Sequence, residues 1–333
     1  MDFYAALSVS RGQIRKTASR LLDRYGSIEP LQNIIFTPIA TGDATHETIH
    51  ELNDLYDISL MYDSGGYEVQ TGNLEFDELL KYLIGYYADH QAAHRYVLPD
   101  NVPLGGDSSD LVDRKVDETI SASRTCFKRL PEDIRDGAVG VVQGHSQDQL
   151  ARCLKAYEEL GLTTVAFGSF GTGGKNNGVN MLTTEALENL QWAVDRAHGF
   201  DMEIHALGIG GPTSIPLLKQ AGVDSFDSSA WIRSSGYGNV FFPFKSRYNA
   251  SHRKVRSGAV LRADELEDLK SEANHSCPFC RTIEQLRDSR WARIVHNLIV
   301  THEMSRRIEE MDQKEMIDAM DKSSTYRSRL EVM

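Results

Sequence analysis

Six short apolar runs in the sequence end in aspartate, glutamine, serine or glycine. In a barrel of parallel strands the carboxyl ends of all strands meet on one face, so residues at these ends would lie together. Glycines let the backbone approach a flat ligand, and aspartate and glutamine match the donors and acceptors of a purine edge. The polar ends begin at Asp63, Asp100, Gln143, Gly168, Gly208 and Asp227. They predict an active site on one face of a barrel.

Asp63 and Asp227 could form a pair of carboxylates that acts on a glycosidic bond. In such chemistry one carboxylate attacks the anomeric carbon, and the other handles the proton of the leaving group. Asp63 is followed by Ser64, Gly65 and Gly66, and Asp227 by two serines. The simpler interpretation of either aspartate alone is a cap at the start of the next helix.

A second pattern is typical of a metal site. His275, Cys277 and Cys280 form a tight H-x-C-x2-C segment, and His296 follows sixteen residues after the second cysteine. Two thiolates and two imidazoles suit tetrahedral zinc, and a site closed by four protein ligands is structural. The alternatives are two core cysteines without a metal, and His302 in place of His296 as the fourth ligand.

A basic segment without any acidic residue lies between positions 245 and 256. Its cations suit contacts to the phosphates of a nucleic acid, although a solvated charged loop has the same composition. These cations are Lys245, Arg247, Arg253, Lys254 and Arg256. Three arginines near the predicted metal site could extend the basic surface, namely Arg287, Arg290 and Arg293.

The elements that must position these residues alternate between short β-rich runs and longer amphipathic ones. Strands are predicted at 33–40, 58–63, 95–100, 138–143, 163–167, 203–207 and 224–227. Helices are predicted between them at 45–56, 76–88, 110–130, 147–160, 183–198 and 214–221, and a last one at 291–312. This alternation predicts an α/β fold, a (β/α)8 TIM barrel, whose eighth strand would come from 240–244 or 259–261.

The domain organisation follows from where this alternation stops. We expect a single catalytic barrel domain over residues 1–333, with a zinc-binding subdomain inserted at about 236–300 near the C-terminus. The polar C-terminal tail, at about 313–333, is expected to be partly mobile.

Composition limits the class of protein. A chain of 333 residues with 41% hydrophobic content can bury a sizeable core. A net charge of −12 argues against a broad surface that coats nucleic acid, but it leaves room for a local basic patch. No apolar run approaches the roughly 18–20 residues of a membrane span, and the N-terminus lacks the apolar core of a signal peptide. Four cysteines make no disulfide framework, and we expect a cytoplasmic protein, in the host cytoplasm if it is viral.

Five motifs together resemble those of the tRNA-guanine transglycosylase superfamily. They occur in the family's order between about residues 33 and 305, and their combination is specific where no single motif would be. The motifs are DSGGY at 63–67, VQG at 142–144, LGIG at 207–210, VDSFD at 223–227, and CxxC at 277–280 followed by HNL at 296–298.

The resemblance implies a pentosyltransferase that exchanges guanine in a nucleic acid for a 7-deazaguanine base. Asp227 would attack C1′ of the target nucleoside to form a covalent intermediate, with Asp63 as acid/base partner. The target nucleotide must leave its base stack to reach such a pocket. The implied base-binding residues are Tyr67 and Leu207 on the two faces of the base, Asp100, Gln143 and Ser169 at its edge, and Gly168 and Gly208 beside them. The implied structural metal is Zn²⁺ on the His275, Cys277, Cys280 and His296 set.

The sequence departs from the superfamily pattern in ways that affect the acceptor. Glu68 stands where glutamine is usual, His145 where a small residue is usual, and His275 replaces the first zinc cysteine. In these features and in its short length, the chain is similar to the DNA-guanine transglycosylases of bacterial and phage 7-deazaguanine DNA-modification systems. DNA is therefore the favoured acceptor and tRNA the alternative. The expected incoming base is a 7-deazaguanine such as 7-cyano-7-deazaguanine, and a homodimer or companion modification proteins are further candidate partners.

Two other interpretations compete with this one. The glycines at 208–211, a short helix and the segment 222–224 also resemble the phosphate-binding loop of flavin- or phosphosugar-binding TIM barrels. That interpretation leaves the CxxC and DSGG motifs unexplained. A non-catalytic subunit is the third, and the presence of both Asp63 and Asp227 argues against it.

Overall fold

Eight parallel strands form a closed barrel in the computed structural model, which describes residues 1–7, 10–170, 182–251 and 259–333. The strands follow one another around the barrel in chain order, which confirms the predicted (β/α)8 architecture. They are β1 (Asp2–Ala6), β2 (Asn33–Phe36), β3 (Ser59–Tyr62), β4 (Arg95–Val97), β5 (Ala138–Val142), β6 (Thr164–Phe167), β7 (Glu203–Ala206) and β8 (Ser225–Ser228).

The described helices are α1 (Arg11–Arg20), α2 (Asp43–Tyr56), α3 (Gly66–Gln70), α4 (Phe76–Asp89), α5 (Ser109–Arg129), α6 (Gln147–Leu160), α7 (Thr184–His198), α8 (Ile215–Gln220), α9 (Ala230–Gly236), α10 (Leu266–Glu272), α11 (Ile283–Asp288), α12 (Arg290–Arg307), α13 (Gln313–Ala319) and α14 (Thr325–Leu330). The seven predicted helices are present as α2, α4, α5, α6, α7, α8 and α12, with ends that differ by a few residues, and the other α-helices were not predicted. Helix α6 shows why the ends are definite, because Ser146 and Gln149 form a capping box and Gly161 ends the helix at φ 72°. None of the described helices has the length and apolar character needed to cross a membrane.

The N-terminal strand β1 closes the barrel, and the two segments predicted for this role do not. Strand β1 pairs in parallel with β8, from Asp2 beside Ser225 to Ala5 beside Ser228, and on its other side with β2. The expected eighth strand at 240–244 or 259–261 is therefore wrong. Those segments contribute to a separate three-stranded sheet of β9 (Asn239–Val240), β10 (Tyr248–Asn249) and β11 (Ala259–Val260), because β1 already occupies the edge of β8.

Alternate residues of each strand face the inside of the barrel and the helices outside it. The interior is filled by a small cluster of buried side chains, Tyr4, Ile35, Met61, Val97, Val139, Val141 and Ala166. Their strand neighbours, such as Ile34 and Phe36, belong to the larger core between the barrel and its helices. This period of two is what a sheet packed on both faces requires.

The C-terminal part of the chain packs on the barrel beside β1. Helix α12 contacts β1 and α9, and the amino group of Met1 forms an ion pair with Glu309, 2.7 Å away. The polar tail contains α13 and α14, with Leu330 fully buried.

We predict that Gly140→Ala destabilises the barrel, whereas Gly85→Ala does not. A Cβ atom at Gly140 in β5 would lie 2.6 Å from the ring of Tyr157, which is fully buried and donates a hydrogen bond to Val141. Overpacking of this kind costs about 1–3 kcal/mol. Gly85 in α4 has no atom within 4 Å of such a Cβ, so alanine there should stabilise the fold by about 0.5–1 kcal/mol. Urea denaturation midpoints that move in the same direction for both variants would contradict this account of the packing.

Candidate active site and metal centre

A cleft of about 1,010 Å³ opens at the carboxyl ends of the barrel strands. Its volume is sufficient for a nucleoside and parts of its neighbours. Seven of the predicted catalytic and base-binding residues line it, namely Asp63, Tyr67, Asp100, Gly168, Leu207, Gly208 and Asp227. These residues come from five different strand ends, so the closure of the barrel is what brings them together.

Asp227 lies in β8 at the base of this cleft and is 5% exposed. Its Oδ1 atom accepts a hydrogen bond from the backbone N–H of Gly208, at 2.6 Å. The Nε2 atom of His205 lies 3.3 Å from the same oxygen. Gly208 has φ 66°, a conformation that glycine adopts without strain and that turns its N–H toward the carboxylate. The carboxylate is thus held by the end of the neighbouring strand β7.

Asp63 follows β3 and shares the cleft with Asp227. The hydroxyl of Thr37 donates a hydrogen bond to Asp63 Oδ2, at 2.6 Å. Burial raises the pKa of Asp63 above its ordinary value, the bond from Thr37 opposes this shift, and the nearby charge of Asp227 raises the pKa further. A carboxyl group in such surroundings can hold a proton at a pH where an ordinary aspartate cannot.

The DSGG motif also contacts a third carboxylate of the cleft, Asp100. Gly65 has φ 85°, and a Cβ at Gly66 would lie 2.5 Å from Asp100 Oδ1, so both glycines are required by the geometry. Ser64 donates a hydrogen bond to the same oxygen, at 2.5 Å. Burial raises the pKa of Asp100 to about 7; the bond from Ser64 opposes this shift and the proximity of Asp63 adds to it. Asp100 therefore titrates near neutral pH.

Gln143 and Ser169 are not among the described residues that line the cleft. The side-chain N–H groups of Gln143 donate to the carbonyl of Asn101 and to the hydroxyl of Thr119, both at 2.7 Å. Its Oε1 atom is buried without a hydrogen-bond partner in the described part of the chain. The hydroxyl of Ser169 accepts a hydrogen bond from the backbone of Gly144, at 2.8 Å. Contacts from either residue to a base remain predictions.

Several cations lie along the wall of the cleft. Lys245 lines it, but forms ion pairs with Glu272 and Asp321, at 3.5 and 3.8 Å. Arg247 also lines it and is exposed, with its guanidinium carbon 6.0 Å from the centre of the Phe241 ring. The other predicted cations of this segment, Arg253, Lys254 and Arg256, lie outside the described residues.

Two exposed residues of the cleft wall, Arg233 and Tyr237, were not predicted from the sequence. Both lie at or just after α9, the helix that follows Asp227, and Tyr237 is 56% exposed. Cations and aromatic rings on one wall are typical of surfaces that bind nucleic acid. Their position in and just after the helix that follows the predicted nucleophile was the available signal.

The three arginines expected to extend the basic surface have different environments. Arg293 is buried and donates hydrogen bonds to the carbonyls of Ser235, Leu286 and Arg287, so it links helices instead of facing solvent. Arg287 pairs with the neighbouring Asp288. Arg290 is exposed. That expectation was therefore wrong for Arg293, because its position in α12 faces α9 and α11.

The four predicted metal ligands form one buried group. The ligand atoms of His275, Cys277, Cys280 and His296 all lie within 4.8 Å of one another, and His302 is not part of the group found among the described residues. The two sulfurs are 3.5 Å apart, and Cys277 Sγ is 3.3 Å from His296 Nδ1. Ligands on tetrahedral zinc lie about 3.3–3.8 Å apart. The group can therefore hold a metal ion.

Neighbouring groups orient both histidines toward the centre of this group. His275 Nδ1 contacts Glu303 Oε2 at 2.6 Å, and its Nε2 is buried without a hydrogen-bond partner in the described part of the chain. His296 Nε2 donates to the carbonyl of Phe241 at 2.7 Å, which leaves its Nδ1 for a metal. A ligand histidine whose other nitrogen is held in this way is typical of protein metal sites.

Asn297, next to His296, connects the metal group to the helix that follows β8. Its side-chain oxygen Oδ1 accepts a hydrogen bond from the backbone N–H of Phe241, at 2.9 Å. Its side-chain nitrogen Nδ2 donates to the backbone carbonyls of Trp231 and Asn239 and to the hydroxyl of Ser235. These partners lie in and after α9, the helix that follows Asp227. The metal group and the cleft are thus held in one arrangement.

Comparison with known proteins agrees with this arrangement. The family model for queuine tRNA-ribosyltransferase matches residues 96–322, about two thirds of the chain. Curated proteins gave no significant match to the sequence. The matched region contains Asp100, the nucleophile candidate Asp227 and all four residues of the metal group. The chain belongs to the queuine tRNA-ribosyltransferase family.

Proposed function

We propose that this chain exchanges guanine in DNA for a 7-deazaguanine base through a covalent bond between Asp227 and C1′ of the target nucleotide. Members of its family are pentosyltransferases that exchange guanine bases in nucleic acid, which supports the class of reaction. DNA as acceptor, a 7-deazaguanine as incoming base and the role of each residue go beyond this class of reaction and are part of the proposal. The flavin or phosphosugar alternative is disfavoured by the family membership.

The observation that carries the proposal is the pair of carboxylates, Asp63 and Asp227, in one cleft with different surroundings. Asp227 is held by the N–H of Gly208, and the pKa of Asp63 is raised by burial and by the charge of Asp227. Glycosyl transfer needs one carboxylate that attacks and one carboxyl group that carries a proton. The surroundings of the two side chains favour that division.

The first half-reaction follows from these roles. An oxygen of Asp227 forms a bond to C1′ while the C1′–N9 bond breaks, and its electron pair leaves with the guanine. Asp63 gives its proton to the departing base. In the second half, the incoming base loses its N9 proton to Asp63 and attacks C1′, which breaks the bond to Asp227. Atoms and charges balance over the two halves, and the enzyme returns to its starting state.

Asp100 is proposed to select a guanine-like edge. Guanine and 7-deazaguanine both present adjacent N–H donors at N1 and N2, which an ionised carboxylate accepts together. Tyr67, 53% exposed at the rim, and Leu207 on the opposite wall are placed to cover the two faces of the base. A guanine can enter this cleft only after it has left its stack in the nucleic acid.

Arg233, Arg247 and Tyr237 are proposed to hold the nucleic acid around the extruded nucleotide. All three are exposed on the cleft wall, and the first two carry charges that suit backbone phosphates. DNA is chosen as acceptor on the similarity of Glu68, His145 and His275 to DNA-modifying relatives. Glu68 lines the cleft beside Tyr67, and its carboxylate accepts a hydrogen bond from Asn73 at 2.8 Å.

Zn²⁺ is the proposed ion for the His275, Cys277, Cys280 and His296 group. Two thiolates with two imidazoles in a closed tetrahedron suit zinc, and the four side chains are all buried. The ion would contribute to stability by linking the H-x-C-x2-C segment to α12, and it would take no part in the exchange.

The experiment that tests the function is base exchange with labelled guanine, offered duplex DNA and tRNA in parallel. We expect the label to enter DNA. An Asp227→Asn variant should exchange the base at least about 10³-fold more slowly, because an amide does not form the glycosyl ester. Asp224→Asn, at the residue just before β8, is the matched control, since Asp224 contacts His198 and Ile204 away from the cleft. Label in tRNA alone would change the acceptor, and label in neither would refute the transglycosylase.

The pKa of Asp100, about 7, predicts a pH dependence of base binding. Because only the ionised carboxylate accepts both N–H groups, the apparent KM for guanine should rise as pH falls below 7, approaching tenfold per unit. In Asp100→Asn the KM should be higher and should not change between pH 6 and 8. A wild-type KM that is constant over this range would contradict the role of Asp100.

The free energy of unfolding should also depend on the ionisation of Asp100. The folded-state pKa of Asp100 is raised above the ordinary value of 3.8, so its protonated form favours the native state. This contribution is complete below about pH 4 and is lost as pH rises through about 7. Wild type should therefore lose stability relative to Asp100→Asn between pH 5 and 8, as measured by thermal melting.

The metal assignment predicts that His296→Ala loses the bound ion and much of its thermal stability, whereas His302→Ala keeps both. Glu303→Gln should weaken metal binding by about 10- to 100-fold, because the amide holds His275 less firmly. Metal content by elemental analysis and release to a coloured chelator measure these effects. Stoichiometric metal in His296→Ala would show that the ligand set is wrong.

A further inference from the structure

His205 is a fully buried histidine in β7 that the proposed reaction has not yet used. Its Nε2 lies 3.3 Å from Asp227 Oδ1, and its Nδ1 lies 2.8 Å from the hydroxyl oxygen of Ser225. The ring meets Tyr4 edge-on, with centres 5.5 Å apart. Three barrel strands therefore fix its position. The histidine thus joins the interior of the barrel to the carboxylate at the base of the cleft.

The partners of the ring determine which nitrogen carries the proton. A carboxylate oxygen can only accept, so the hydrogen bond to Asp227 requires the proton on Nε2. In the neutral ring, Nδ1 is then an acceptor, and the hydroxyl of Ser225 donates to it. Ser225 lies two residues before Asp227 on β8, so both side chains point to the same side of the strand and both reach the ring. The geometry selects a single tautomer.

We propose that His205 is a positioning residue for the nucleophile, an inference that rests on the proposed function of Asp227. The ring and the N–H of Gly208 both bind Oδ1, at 3.3 and 2.6 Å. The other oxygen, Oδ2, is then the one presented to C1′. Two donors on Oδ1 prevent the carboxylate from rotating, so the attacking oxygen keeps its direction.

The same contacts remain useful when the base returns. In the covalent intermediate, Oδ2 carries the sugar and Oδ1 is the carbonyl oxygen of the ester, which still accepts from the ring and from Gly208. When the incoming base displaces Asp227, the electron pair of the C1′–Oδ2 bond returns to the carboxylate. The two donors stabilise the negative charge that forms there. Loss of the ring donor should therefore slow both halves and leave base binding unchanged.

The test compares His205→Phe, which keeps an aromatic ring without a donor, with His205→Gln, whose amide N–H can reach the same oxygen. In the labelled-guanine exchange, His205→Phe should lower kcat about 10- to 100-fold, the usual effect of one hydrogen bond to a charged group. The KM for guanine should stay the same, and His205→Gln should recover most of the rate. Formation of the covalent adduct, trapped on denaturing gels, should slow in parallel.

Ser225→Ala is the second variant, in case His205→Phe fails to fold. It removes the hydroxyl that selects the tautomer and leaves the ring in place, so kcat should fall severalfold at unchanged KM. Equal impairment of the Phe and Gln variants, or an unchanged kcat in His205→Phe or Ser225→Ala, would overturn the inference. An inactive wild type would instead refute the proposed function itself, so the two failures are distinguishable.

Discussion

The parallel pairing of β1 with β8 is the constraint on which the site depends. The register that places Asp2 beside Ser225 and Ala5 beside Ser228 closes the barrel, and it also fixes the height of Asp227 relative to the other strand ends. Without closure, β8 would lie at the outer edge of an open sheet, five strands away from β3, and Asp63 could not meet Asp227. Short strands are sufficient because each is paired on both sides.

A second link holds the closed barrel from outside. Helix α12 packs on β1 and α9, the elements on either side of β8. The side-chain amide of Asn297 forms hydrogen bonds with backbone groups of Trp231 in α9, Asn239 in β9 and Phe241 just after β9. His296, one residue earlier, belongs to the metal group. An ion bound there would restrain α12, and through it the helix that carries Arg233 and follows Asp227. Such an ion would thereby limit the movement of β8 and its neighbours.

The barrel and most of the strand ends that line the cleft could be predicted from the sequence. Strands β2 to β8 alternate with amphipathic helices, and residues such as Asp63 and Asp227 follow short apolar runs. Strand β1 was missed because it begins the chain and no helix precedes it to complete the alternation. His205 could not be recognised, since a histidine in a buried strand has the same local pattern whether or not a carboxylate lies on the neighbouring strand. Arg293 looked like a surface cation because helical spacing alone does not show which neighbours cover a position.

Three carboxylates in one buried cleft would repel one another unless each received its own compensation. Asp227 takes the backbone N–H of Gly208 and faces a histidine nitrogen, whereas Asp63 accepts from the Thr37 hydroxyl and Asp100 from the Ser64 hydroxyl. Burial raises the pKa of the latter two, so each can hold a proton at a pH where an ordinary aspartate cannot. The proposed reaction needs a nucleophile and a proton donor at one pH, and identical side chains can take both roles only if their hydrogen-bond donors differ. The strand ends of a barrel supply those different donors, because each carboxylate meets a different pair of loops.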